Sequence, residues 1–203
     1  MYKKKPLFLT FEGIEGSGKS YQALRLYKNL KKKNISSILT REPGGTRSAE
    51  KIREVILKDY FHPESKEKFN KYTDTLLYLA ARNEHIENKI KPALIKKKIV
   101  ICDRFTPSTV AYQGYGRGLP GYVIDQVNEL AIGGLKPDLV ILLDMPPEDA
   151  LRRVSAQTTM LLEEPIDAGE KRRDNDGQRR FEQEPLRFHH DVRRGYLAQA
   201  QAE

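Results

Sequence analysis

Residues 11–20 read "FEGIEGSGKS", and what flanks this stretch decides the fold. Gly13-Ile14-Glu15-Gly16-Ser17-Gly18-Lys19-Ser20 has the spacing G-x-x-x-x-G-K-[ST]. Before it runs the apolar "LFLTF" of residues 7–11, short and rich in branched and aromatic side chains, as a buried strand requires. After it, Ser20 to Lys33 follows a helical pattern. A strand, a glycine turn and a helix in this order turn backbone N–H groups inward around phosphate oxygens, with the positive end of the helix behind them. The predicted ligand is a nucleoside triphosphate, contacted by Gly13, Glu15, Gly16, Ser17, Gly18, Lys19 and Ser20. Lys19 is expected to reach the β- and γ-phosphates and Ser20 to hold Mg²⁺.

The rest of the chain repeats the alternation. "SSILT" at 36–40, "KIVICD" at 98–103 and "DLVILLD" at 138–144 read as further buried parallel strands. Helical patterns lie between them at Ala49 to Lys58, at Thr73 to Lys97 with Leu76, Leu77, Ala80 and Ala81 on the apolar face, and at Tyr122 to Ile132. The fold class is α/β, a doubly wound parallel sheet in three layers forming one domain over residues 1–203. Such sheets bind ligands beyond the carboxyl ends of their strands. Residues 13–20, 41–46, 103–108 and 144–147 are therefore expected at one crevice. From Pro146 the pattern is helical through Val154, then becomes a charge-rich loop, then helical again from Phe181.

Composition narrows the partners. The formal net charge is +8 over 203 residues, which favours anionic ligands, but no nucleic-acid module is recognisable and lysine triplets at element edges read as solvated surface. No apolar run approaches the ~18 residues that cross a bilayer. The basic, apolar start imitates a secretion signal, yet Glu12 ends its short apolar run, and it reads as the first strand. Cys102 is the single cysteine and lies in an apolar run, which points to a core thiol and a cytoplasmic protein.

A phosphate loop leaves the reaction open among GTPases, ATP-driven motors and small-molecule kinases. "NKYTD" at residues 70–74 is one residue too long for a guanine-reading N-K-x-D and opens a helix, which argues against a G protein. Asp103 and Arg104 at a strand end pair a carboxylate suited to Mg²⁺ or an acceptor oxygen with a guanidinium suited to phosphate; a salt bridge between the two is the alternative.

"REPGGT" (41–46), "LLYLAAR" (76–82), "DRF" with "STVAYQGYGRG" (103–118), "KPDLVILLDMPPEDALRR" (136–153), "RFEQE" (180–184) and "FHHDVRRGYL" (188–197) together resemble thymidylate kinase, in that order along the chain. The resemblance implies a nucleoside monophosphate kinase fold with a mobile lid at roughly 151–182. It also implies transfer of the γ-phosphoryl group of ATP to dTMP with Mg²⁺. On the matching positions, the resemblance implies that Tyr78 stacks on thymine and that Arg82 grips the acceptor phosphate or the base, and it implies the roles that follow as well. Arg41 joins the acceptor site, and Thr109 and Gln113 read the thymine edge and pocket. Arg104 holds the acceptor phosphate, Asp103 is the magnesium or base carboxylate, and Glu15 meets the sugar 3′-hydroxyl. By the same resemblance, glycine at 16 implies that the charge-neutralising arginine comes from the lid, with Arg153 and Arg180 as the choices. A homodimer is implied as well.

The sequence departs from the family pattern at Tyr21, where threonine is usual, at Arg179, which replaces an acid, and at the end, where a last strand and helix are expected. Two alternatives remain: a nucleotide-binding module with impaired turnover, and a kinase for another nucleoside or nucleoside monophosphate.

Overall fold

The computed structural model describes residues 6–61, 69–163, 181 and 183–202, with the side chains of 58–61 and 157–163 outside the description. Strand β1 (Leu7–Glu12) is followed by helix α1 (Lys19–Lys32), β2 (Ser37–Arg41), α2 (Arg47–Phe61) and α3 (Lys71–His85). A wide π turn (Ile86–Ile90) leads into the short α4 (Lys91–Ile95) and β3 (Ile99–Asp103). A single turn α5 (Thr106–Thr109) then opens into a second π-helical segment (Val110–Gly116). Last come α6 (Gly121–Ile132), β4 (Leu139–Leu142), α7 (Pro147–Glu163) and α8 (Leu186–Ala202).

The strands form one parallel sheet in the order β2-β3-β1-β4. β1 is interior; the chain leaves it toward β2 on one side and, after β3, crosses past it to β4 on the other, so the order reverses beside the glycine loop. Side chains alternate along the strands and supply two cores. Phe8, Val100 and Cys102 face Ile86, Ile90, Phe105 and Ile132 on one side. Leu9, Phe11, Ile99 and Ile101 face Ala23, Leu26 and Leu30 on the other. Helices therefore cover both faces, which makes three layers. Cys102 is a free, buried thiol, as its apolar run implied. β4 forms an edge of the sheet, with Leu139 51% exposed.

Three sequence expectations are corrected. The helix expected over 73–97 is interrupted by the π turn before Pro92, because proline has no N–H to donate and its ring crowds the carbonyl four residues back. The apolar face expected for α3 is only partly the buried one: Ala81 is buried and Leu77 half-buried, but Ala80 is exposed. Leu76 is 59% exposed, whereas Asp74, Thr75, Arg82 and His85 are buried. The helix expected to end at Val154 continues to Glu163, since neither glycine nor proline occurs between Pro147 and Pro165 to stop it.

Candidate active site

The glycine loop is strained into shape by backbone. Gly13, Gly16 and Gly18 all have positive φ, where only glycine is free of penalty. A Cβ on Gly16 would lie 2.3 Å from the Ala150 carbonyl oxygen at the start of α7, so this position excludes any side chain. Gly18 caps α1 with no side-chain hydrogen bond, which leaves the first N–H groups of the helix available to an anion. Lys19 is buried and donates from Nζ to the Ile14 carbonyl at 2.6 Å. Burial, helped by Arg104, pulls its pKa down to about 8, against the opposing carboxylates of Asp103, Glu15 and Glu12.

One cleft joins this loop to the ends of β2 and β3 and to the α5 turn. Glu15, Gly16, Gly18, Lys19 and Ser20 of the loop line it together with Arg41, Tyr78, Arg82, Asp103, Arg104, Thr109 and Gln113. Gly13 and Ser17 lie behind the wall, Gly13 accepting from Arg104 and Ser17 from Lys19. Arg153 is exposed on α7 and does not line the cleft. Arg180, Arg179 and most of the expected lid lie outside the described residues. Of the 144–147 loop, Asp144 turns away, accepting both guanidinium bonds of Arg193 at 2.7 and 2.8 Å.

Asp103 and Arg104 do not pair with each other through a hydrogen bond. Ser20 Oγ donates to Asp103 Oδ2, and Asp103 Oδ1 is buried without a hydrogen-bond partner among the described residues. A buried carboxylate oxygen left over beside a serine hydroxyl fits a hard cation with oxygen ligands. Arg104 has φ 73° and directs Nη2 to Glu15 Oε1 at 2.8 Å, while its guanidinium lies 4.9 Å from the Tyr112 ring centre. Tyr112 donates to Glu15 Oε2 at 2.5 Å. Burial pushes the Glu15 carboxyl up, but Arg104, Lys19 and Tyr112 outweigh it and hold its pKa below the ordinary value.

Arg82 is a buried hub. It donates to Glu42 Oε2 (2.7 Å), Thr109 Oγ1 (2.7 Å), Asn128 Oδ1 (2.9 Å) and the Phe105 carbonyl (2.9 Å). Neither a surface salt bridge nor simple helix packing describes it. Glu42, His85 and Cys102 also gather within 4.8 Å. Their groups are already engaged, Glu42 with Arg82 and His85, His85 also with Thr40, and the Cys102 thiol with the Arg104 carbonyl. Burial, and then Glu42, push that thiol's pKa well up, so the cluster serves as the hydrogen-bonded floor of the site.

Sequence reading missed Arg53, Tyr112, Ser108 and Glu12. Arg53 lines the cleft from α2 and donates to the Pro43 carbonyl at 3.0 Å; no motif in the sequence sets it apart from the other charges of that helix. Glu12 is 1% exposed and accepts from the Phe105 N–H at 2.6 Å and from Ser108 Oγ at 2.7 Å. Burial raises its pKa to about 7, against the hydrogen bonds from Ser108 and Phe105 and the charge of Arg104. Its value in the unfolded chain is near 4.5, so the folded state binds the extra proton between the two. The stabilising contribution is complete below the lower value and is lost as pH rises through 7. Glu12→Gln is expected to flatten this part of the stability profile by ~3 kcal/mol, read from urea unfolding at a series of pH values; an unchanged slope would contradict the assignment.

The sheet, its glycine loop at the reversal point and the basic cleft beside it define a nucleotide phosphotransferase of the P-loop nucleoside monophosphate kinase class. The family model described as thymidylate kinase matches residues 11–203. A thymidylate kinase of Geotalea daltonii is 46% identical over 196 residues, 97% of this chain and 84% of the relative. One of Dehalococcoides mccartyi is 46% identical over 192 residues, covering 95% and 81%. The crystal structure of thymidylate kinase from Ehrlichia chaffeensis superposes with a TM-score of 0.68 at 33% identity, covering 97% of this chain and 85% of that one. The chain belongs to the thymidylate kinase family.

Proposed function

We propose that the protein transfers the γ-phosphoryl group of ATP to dTMP, giving ADP and dTDP. The observation that carries this reading is one cleft lined both by the phosphate loop with Lys19 and by Arg104, Tyr78, Arg82, Thr109 and Gln113. The donor's phosphates lie in the glycine loop, held by the N–H groups at the open end of α1 and by Lys19. Arg104, bent into the cleft, holds the acceptor phosphate so that one of its oxygens attacks the γ-phosphorus while the bond to the ADP oxygen breaks. Glu15 fixes Arg104 and offers an acceptor for the sugar hydroxyl. Tyr78 supplies the aromatic face for the base, and Thr109 and Gln113 its edge. Arg41, exposed and paired with Glu50 at 3.3 Å, and Arg53 add positive charge at the mouth.

Ser20 and Asp103 are the residues that would hold Mg²⁺, which when bound neutralises charge on the β- and γ-phosphates. Arg153 and Arg180 are assigned to lid closure; the side-chain exclusion at Gly16 supports a cation delivered from elsewhere than the loop. A second copy of the chain is the proposed partner, supported by the exposed apolar side chains Val55 on α2 and Tyr72 and Leu76 on the adjacent α3. Among the described residues no helix is long and apolar enough to cross a membrane, and the free Cys102 favours the cytoplasm.

The test is ADP formation from ATP and Mg²⁺ with dTMP, dUMP, dCMP or AMP as acceptor. Release dependent on dTMP, with dTDP formed, is the expected result. Release with a different acceptor, or none with any, would overturn the assignment.

A further inference from the structure

We propose that Tyr196 of α8 is a positioning residue that fixes the Arg104 guanidinium at the acceptor side of the cleft. The inference rests on the acceptor role given to Arg104 above, and on contacts that begin far from it. α8 approaches the 110–116 segment unusually closely. A Cβ on Gly195 would meet the Tyr115 ring at 2.9 Å and Ala111 Cα at 3.0 Å, and one on Gly116 would meet the Phe188 ring at 2.6 Å. Glycine on each surface thus lets the two elements seat closely. Phe188, Val192 and Tyr196 fill the gap with Ile14 and Tyr112, and Gln199 donates to the Pro107 carbonyl at 3.2 Å.

The seated helix places the Tyr196 hydroxyl among polar groups of the strand ends. It accepts from Arg104 Nη1 at 3.0 Å and lies 2.7 Å from Ser108 Oγ. Ser108 Oγ in turn donates to Glu12 Oε2 at 2.7 Å. A guanidinium only donates, so Tyr196 accepts from Arg104 and keeps its one proton for Ser108. Its lone pairs then face Arg104. The chain runs from guanidinium to phenol to serine, beside a longer direct bond from Arg104 Nη1 to Ser108 Oγ at 3.2 Å, and each bond polarises the next. Burial pushes the phenol's pKa well above its ordinary value, so it stays protonated and the direction is kept.

Arg104 needs such a hold. Its φ of 73° is a conformation that a residue with a side chain adopts only when its surroundings impose it. The Arg104 N–H donates to the Phe11 carbonyl at 3.0 Å and the Phe105 N–H to Glu12, which fix the backbone. Tyr196 and Glu12 are both absent from the cleft wall. Both are buried, and Tyr196 acts through the arginine.

Tyr196→Phe removes one oxygen and leaves the ring packing. The KM for dTMP is expected to rise about tenfold, the size of one lost hydrogen bond to a charged group, while the KM for ATP is unchanged and kcat stays within about threefold. In parallel, rotation of the Arg104 guanidinium about Cζ–Nε, followed by NMR of ¹⁵N-labelled arginine, is expected to be slow in the wild type and faster in the variant. An unchanged dTMP KM together with unchanged Arg104 rotation would overturn the proposal, and so would equal rises in both KM values. If the wild type does not use dTMP, the functional reading falls, and the NMR comparison alone decides the positioning role: faster rotation sustains it and unchanged rotation ends it.

Discussion

Lys19→Ala is expected to lower kcat by about 10²–10³-fold, the usual loss when a preorganised electrostatic group is removed, with smaller changes in either KM. Its Nζ is buried at the floor of the phosphate loop, already oriented by the Ile14 carbonyl at 2.6 Å and facing the cleft. A cation held there need not reorganise when negative charge gathers on the β- and γ-phosphate oxygens. Its interaction strengthens as transfer proceeds, which raises kcat more than it tightens ground-state binding. The same lysine burdens the fold. Burial lowers its pKa from 10.5 to about 8, so the charged form is disfavoured in the folded state. That penalty is complete below about pH 8 and vanishes only above the unfolded value, and it amounts to ~3 kcal/mol at neutral pH. The variant is therefore expected to unfold at or above the wild-type temperature while losing turnover. Steady-state kinetics and a thermal melt on one preparation decide it; full kcat in a folded variant would remove Lys19 from the reaction.

The parts legible in sequence were those whose signal is local. The glycine spacing, the apolar run before it and the helix after it are adjacent in the chain, so phosphate-loop geometry could be read directly. Strands buried on both faces are continuous apolar runs, and β1, β2 and β3 fall within a residue of their expected limits. What failed was the assumption that a buried face is an apolar face. On α3 the inward side carries Asp74, Arg82 and His85, whose burial is made possible by Glu42, Thr109 and Asn128, residues brought in by other elements. No periodicity of α3 records those partners. Tyr196, Glu12 and Tyr112 were unreadable for the same reason, since each acts on a group more than eighty residues away. Gly195, inside an otherwise good helix pattern, was the one local signal that something packs closely against α8.

Arg82→Ala carries the largest expected effect on folding, a loss of ~3–5 kcal/mol, the range for breaking a buried ion pair by removing one member. The side chains of Arg82 and Glu42 are each 4% exposed and meet at 2.7 Å. Truncation leaves the Glu42 carboxylate with the His85 ring as its remaining side-chain hydrogen-bond partner among the described residues, and strips partners from Asn128, Thr109 and the Phe105 carbonyl. It also removes the guanidinium that lies 5.3 Å from the Phe105 ring centre. Because Phe105 follows Arg104, loosening this hub disturbs the acceptor side of the cleft even where the protein stays folded. Arg82→Met with Glu42→Gln separates the two roles. The pair refills the volume without an orphaned charge, and is expected to recover most of the lost stability in urea unfolding. If dTMP affinity, measured by calorimetry, recovers with it, Arg82 serves the site by holding Thr109 and Phe105 in place. If stability returns and dTMP affinity does not, the guanidinium itself contacts the nucleotide. A single Arg82→Ala variant with wild-type stability would refute the hub.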